Sequence, residues 1–230
     1  TFTNGERRIQ RVNAVIEPIP GVKGDGQQVI DVMNRLGYEQ PDYTADGVLA
    51  EVAQIVPFFR GVVWDELGDN GKQWPVVEGG QDTQMLHIEE FKRGKGNFSF
   101  TAFQESNEIE KHGKDYPYII TTNRELEHYN CGAMTRRTGN VEILTEDVLL
   151  INPQDAAKEG IAQGDFVCVE SPRGKVDIRA EITTDVKPGI LSSTFHFPEI
   201  MLNEITSDET CSEALCPEYK VVSCRIRKSK

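Results

Sequence analysis

The run Val148–Phe197, "VLLINPQDAAKEGIAQGDFVCVESPRGKVDIRAEITTDVKPGILSSTFHF", limits the possible folds of this chain more than any other stretch. "FVCVES" and "KVDIRAEIT" alternate apolar and polar residues with the period of a half-buried strand. "QGD", "PRG" and "KPG" carry the turn residues that separate such strands. Between "VLLI" and "QGD" lies one short helix. Asn152 supplies its N-cap, Pro153 its first position and Gly160 its stop. "YPYIITT" adds a strand before this run, and "YKVVSCRIR" alternates as a final one. Many short strands joined by turns, with one small helix, point to a closed or nearly closed β-barrel. The expected organisation is a barrel domain over 115–230, an irregular linker over 76–114 and a mixed, mainly helical segment over 1–75.

The N-terminal segment carries two amphipathic patterns. In the first, Val29, Ile30, Val32, Met33 and Leu36 share one side, and Gly37 suits the stop. In the second, Asp46 is the N-cap candidate, Val48, Leu49, Val52 and Ile55 form the stripe, and Pro57 ends the helix. The linker is rich in Gly, Asn and Gln, with one short extended piece, "GNFSFTAFQES". The chain opens on Thr1, and "TFTNGERRIQRV" reads as the interior of a longer protein.

A net charge of -12 argues against a general nucleic-acid surface. Apolar runs stay far below the ~20 residues of a membrane helix. Five cysteines, with no C-x-x-C and no leader pattern, indicate reduced thiols in a cytoplasmic setting. Cys211 and Cys216 are too isolated for a zinc or iron–sulfur ligand set. No nucleophile elbow, Walker loop, dinucleotide glycine motif or His-Glu-x-x-His is present, and nothing assembles a catalytic acid–base pair.

The chemistry concentrates in "TTNRELEHYNCGAMTRRTGN", which leaves the "YPYIITT" strand. Arg124, His128, Arg136 and Arg137 offer donors; Thr122, Asn130, Thr135 and Thr138 offer hydroxyl and amide groups. A guanidinium fork matches phosphate oxygens, and backbone N–H groups in such a loop can form an anion nest. Glu125 and Glu127 can accept from the N–H groups of a purine. This composition suits a nucleotide or pyrophosphate. A solvated surface loop with local ion pairs is the competing interpretation. "STFHF" and "MLNEIT" form a second candidate. His196 lies between two aromatics, where a histidine is more often a hydrogen-bonded packing residue than a ligand, and Asn203 is oddly placed for a core. Tyr219 and Lys220 form a third, at the start of the final strand.

Taken in order, "ELEHYNCGAMTRRT", "INPQDAAKEGIAQGDFVCVESPRG", "VKPGILSSTFHF", "NEIT" and "PEYKVVSCRIR" resemble the C-terminal part of molybdopterin oxidoreductases of the dimethyl-sulfoxide-reductase family. Within that family they are most similar to the formate dehydrogenase catalytic (alpha) subunits. "TFTNGERRIQRV" and "GVKGDGQQVIDVMNRLG" resemble the segment just upstream. The resemblance implies an α+β chain, with a six-stranded double-psi β-barrel over 115–230 that binds the molybdopterin dinucleotide. The helical segment before it would belong to a neighbouring α/β domain.

The implied cofactor is bis-molybdopterin guanine dinucleotide with molybdenum or tungsten. By resemblance its contacts are Thr122, Asn123, Arg124, Glu125, Leu126, Glu127, His128, Tyr129, Asn130 and Cys131, together with Arg136, Phe195, Asn203, Tyr219 and Lys220. Asn123 stands where the family commonly has Gly. The family's iron–sulfur cysteines and its metal-ligating Cys or selenocysteine lie upstream, and no cysteine here matches them. The fragment alone is therefore expected to be inactive. Implied partners are the rest of the catalytic subunit, iron–sulfur or NAD-linked electron-transfer subunits, and formate; a full enzyme of this kind can also be periplasmic. Two alternatives remain open at this stage: a nitrate reductase-type relative, and a non-enzymatic double-psi barrel module.

Overall fold

The computed structural model describes residues 1–211 and 214–229. It divides into two compact units, Thr1–Ser99 and Phe100–Lys230.

In the N-terminal unit, β1 (Phe2–Thr3), β2 (Arg8–Gln10) and β3 (Lys72–Gln73) form a small antiparallel sheet. Two α-helices lie between β2 and β3, α1 (Asp25–Arg35) and α2 (Ala45–Ile55), followed by two short 3-10 turns. The unit's core is Ile9, Leu49, Val62, Leu67 and Val76, flanked by Phe59, Trp64 and Trp74. The α1 stripe differs from expectation. Val29, Val32 and Leu36 are exposed, and α1 buries no residue. In α2 only Leu49 of the expected stripe is buried, while Val48 and Ile55 are exposed. The N-cap of α2 is Thr44, not Asp46. The Thr44 hydroxyl accepts the Gly47 N–H at 3.1 Å, whereas Asp46 lies inside the first turn, where its charge favours the helix dipole.

The C-terminal unit opens with α3 (Asn107–His112), a helix inside the stretch expected to be linker. Six strands then close a barrel: β4 (Tyr118–Thr122), β5 (Val148–Ile151), β6 (Phe166–Glu170), β7 (Lys175–Ile182), β8 (Ile190–Ser193) and β9 (Val222–Lys228). Their order around the barrel is β4-β8-β5-β7-β6-β9. The pairs β4–β8 and β5–β7 are parallel and the other four antiparallel. The helix α4 (Asn140–Ile143) interrupts the loop between β4 and β5, and α5 (Pro153–Glu159) follows β5. Asn152 caps α5 by accepting the Gln154 N–H at 3.0 Å, and Gly160 ends it in the left-handed conformation that a Cβ disfavours.

Alternating residues of each strand fill the barrel. Ile120, Leu149, Ile151, Val167, Val169, Ile178, Leu191 and Ile226 lie within one apolar cluster. β6, β8 and β9 depart from strict alternation because Cys168, Ser192 and Ser223 are also buried. Closure leaves no free sheet edge, so the loops alone face a ligand. The pairing directions bring the C-terminal ends of β4, β6 and β8 and the N-terminal ends of β5, β7 and β9 to one end of the barrel. At that end "STFHF" ceases to be strand: β8 stops at Ser193, and Thr194–Phe197 turn across the mouth.

Candidate functional site

The loop Thr122–Cys131 leaves β4 at this rim. Pairing with β8 continues one residue past the strand, where Asn123 N–H donates to Ser193 O at 2.8 Å. The Asn123 amide also donates to the Ser192 hydroxyl. Asn123 does not adopt the left-handed region, so the glycine common at this place is not needed for the turn.

His196 holds the loop in shape. It is fully buried, accepts from Glu125 N–H through Nε2 at 3.0 Å and donates from Nδ1 to Asn130 O. A carbonyl can only accept and an amide N–H only donate, so the hydrogen sits on Nδ1. One imidazole thus spans the two ends of the segment 125–130.

His128 is buried as well. Its Nε2 donates to Leu144 O at 2.9 Å, and its Nδ1 meets the Thr135 hydroxyl at 3.0 Å. That hydroxyl also accepts Tyr129 N–H at 3.2 Å. Both ring nitrogens therefore serve the loop's own framework. Asn140 adds a further tie, donating to Glu127 O at 2.6 Å.

Beneath the loop lies Asp147, an acid that sequence reasoning passed over. It is almost completely buried just before β5. Its carboxylate accepts from the Thr194 hydroxyl, from His196 N–H at 3.2 Å and from Phe197 N–H at 2.9 Å. These bonds fix the turn that carries Phe195, His196 and Phe197. Its only sequence signal was an acid directly preceding an apolar strand.

The cationic groups lie on this frame. The Arg124 guanidinium stacks over Phe195 at 4.1 Å, while Asn130 Oδ1 accepts one of its N–H groups at 3.4 Å. Arg136 stacks over Phe197 at 4.6 Å and pairs with Glu199 at 2.6 Å, which holds the Glu199 carboxyl below its ordinary value. The Arg136 Nε is buried and has no hydrogen-bond partner. Gly132, at φ +70°, lets the chain pass close by. A Cβ there would meet the Arg136 side chain at 2.5 Å and His196 O at 2.7 Å. Lys220 reaches back from the approach to β9 and donates to both the carbonyl and the hydroxyl of Thr122, the latter at 3.1 Å.

Of the other expected residues, Leu126, Tyr129 and Tyr219 are exposed, as is Cys131. Asn203 is also exposed, on the turn Leu202–Ile205 over the β6–β7 connection, where Arg173 donates to Ile205 O and Thr206 O. Thr122–Cys131, Arg136, Phe195 and Lys220 thus share one side of the rim, and Asn203 lies elsewhere on it. A cavity of about 30 Å³ is bounded by Glu125, Leu144 and Ser192–Thr194. A larger hollow, about 960 Å³, lies in the N-terminal unit between Phe58, Trp74 and the segment 85–97, and includes none of these residues. The rim therefore suits an extended ligand laid across loops. Among the described residues, no group of three or more His, Cys, Asp or Glu could hold a metal ion, and no helix is long and apolar enough to cross a membrane.

The closed six-stranded barrel carries Arg124, Arg136 and Lys220 beside Phe195 and Phe197 on its rim, where loops meet a ligand. Residues 118–223 match the family described as "Molydopterin dinucleotide binding domain". Along nearly its full length the chain is similar to formate dehydrogenase alpha subunits. It is 35% identical over 236 residues to the F420-dependent formate dehydrogenase subunit alpha of Methanocaldococcus jannaschii, covering 99% of this chain and 34% of that relative. It is 28% identical over 231 residues to formate dehydrogenase H of Escherichia coli, covering 98% of this chain and 32% of that relative. The chain thus spans about a third of the length of the curated relatives it matches. Among solved structures, acetylene hydratase from Pelobacter acetylenicus shares the fold, with a TM-score of 0.62 at 15% identity, covering 94% of this chain and 34% of that one.

Proposed function

We propose that this chain is the dinucleotide-holding part of a formate dehydrogenase catalytic subunit, and that its cofactor is molybdopterin guanine dinucleotide. The observation that carries this is the set of three cationic side chains on one side of the rim: Arg124 on Phe195, Arg136 on Phe197, and Lys220 at Thr122. The residues fit an anionic, planar-ended ligand. Guanidinium forks suit phosphate oxygens, and the buried, unpartnered Nε of Arg136 is a donor awaiting an acceptor.

In this assignment Arg124, Arg136 and Lys220 bind phosphate or base edges. Phe195 supplies an aromatic face, and Asn123, Glu125, Leu126, Glu127, Tyr129, Asn130 and Cys131 line the loop. His128, with both nitrogens engaged, sets the loop's shape. Asn203 and Tyr219 contact a more distant part of the cofactor. When bound, the cofactor and its molybdenum or tungsten ion supply the two-electron chemistry of formate oxidation. The residues of this chain bind, orient and neutralise charge. A second dinucleotide, an iron–sulfur cluster, electron-transfer subunits and a cytoplasmic location complete the proposed whole enzyme.

The test uses the full-length enzyme carrying Arg124→Ala or Lys220→Ala. Both residues are exposed, so neither change opens a cavity in the barrel core. Guanine nucleotide and metal content per polypeptide should fall in both variants. Normal content in both defeats the site assignment. Assaying formate oxidation beside nitrate reduction decides the substrate.

A further inference from the structure

The hairpin that precedes Lys220 brings two cysteines together. Thr210 and Pro217 form an antiparallel bridge, and one step inward Cys211 N–H donates to Cys216 O at 3.0 Å. Residues directly opposite one another in such a pair have Cα atoms about 5.5 Å apart and side chains on the same face. A disulfide needs roughly 4.4–6.8 Å. The Cys211 sulfur already lies over the facing strand, where it accepts Cys216 N–H at 3.3 Å. Both residues are exposed, so a soluble oxidant can reach them.

From this geometry we propose that Cys211 and Cys216 form a reversible intrachain disulfide by exchange with a small-molecule disulfide. Cys211, whose sulfur already lies over Cys216, is assigned as the attacking group on geometry. Its thiolate attacks one sulfur of the small disulfide, the S–S bond breaks, and one small thiolate leaves. Cys216 then loses its proton to solvent and attacks the Cys211 sulfur, expelling the second small thiolate. Two protein thiols are oxidised, and one small disulfide is reduced to two thiols. The ring closes at the base of the hairpin that also carries the Glu218 N–H bond to Glu209 O, immediately before Lys220. The disulfide would thus lock the approach to a residue that grips Thr122. This inference stands whether or not the rim binds a dinucleotide.

The experiment incubates the full-length protein with oxidised glutathione, then alkylates, digests and weighs the peptide spanning 211–216. The expected product is an unalkylated peptide lighter by two hydrogens, restored to a doubly alkylatable one by dithiothreitol. In Cys216→Ser the exchange should stall, leaving one glutathione on Cys211. In Cys211→Ser the exchange should likewise stall, leaving one glutathione on Cys216. Glutathione retained on either cysteine of the parent, full alkylation of both after oxidation, or pairing of either with Cys131 overturns the proposal.

Discussion

Replacing Glu108 with Gln tests how the barrel is tied to the helix before it. Glu108 lies on α3 and is completely buried. Its carboxylate accepts Arg173 Nη1 at 2.9 Å, Arg173 Nη2 at 2.8 Å, the Ser207 hydroxyl at 3.0 Å and Ser223 N–H at 2.9 Å. One side chain thus joins α3, the β6–β7 turn, the segment after Leu202–Ile205, and β9. A glutamine keeps one acceptor oxygen and sets an NH₂ group against Arg173. Breaking a buried pair from one side costs about 3–5 kcal/mol. At about 1.4 kcal/mol per decade this is roughly 2 to 3.5 decades in an opening equilibrium. Hydrogen exchange of the full-length protein should show that loss of protection in peptides covering 106–112 and 222–228.

The double variant Glu108→Gln/Arg173→Met removes the stranded guanidinium and should recover part of the loss, so the two changes must be non-additive. Acid dependence adds a sign. Burial alone would raise the Glu108 carboxyl, but the Arg173 fork, Ser223 N–H and the Ser207 hydroxyl together hold it below its ordinary value of 4.5. The stabilisation is therefore complete above that value and lost as pH falls through the lower folded one. Glu108→Gln should abolish this acid-side slope. A change of less than threefold in exchange, or strict additivity, refutes the reasoning.

Three further outcomes rest on other contacts of the C-terminal unit. Ile178→Ala, at a fully buried barrel position, should cost about 2–5 kcal/mol in a denaturant titration of the C-terminal unit's exchange protection. Asn152→Ala should cost about 1 kcal/mol or more on the same readout, because it removes the α5 cap and also the amide bond to Val186 O at 2.8 Å. Asp147→Asn leaves buried donors of the Thr194–Phe197 turn poorly matched and should cost about 1–3 kcal/mol. It should also lower guanine content in the purified full-length enzyme; unchanged content would show that the turn does not support the site.

The barrel was legible because a strand buried on one face writes a period of two. "KVDIRAEIT" became β7 with Val176, Ile178 and Ala180 buried, and "NPQDAAKEG" became a capped, glycine-terminated helix. Both signals are local, so they survive without knowledge of neighbours. The α1 pattern is local too, yet Val29, Val32 and Leu36 are exposed. A period of 3.6 reports an apolar face and says nothing about what covers it. Thr44 displaced Asp46 as a cap because either residue type satisfies the local rule, and only the placement of the first helical turn separates them.

The rim was legible in composition but not in division of labour. The sequence puts His128 and Cys131 beside three arginines, and nothing local separates a framework residue from a ligand contact. The deciding partners are remote. His196 grips Glu125 and Asn130 from 71 and 66 residues away, and Asp147 holds the turn that presents His196 from 49 residues before it. Parallel pairing of β4 with β8 is what brings these segments together, since it puts the ends of both strands at one mouth. The polar groups then sort by what they have already bonded. Those of His128, His196 and Asp147 are engaged within the frame, whereas Arg124 and Arg136 spread over aromatic faces with donor capacity to spare. A ligand chemistry follows from that remainder: the buried frame has used its acceptors on itself, and the rim offers guanidinium donors over aromatic faces beside the exposed Glu125 and Glu199.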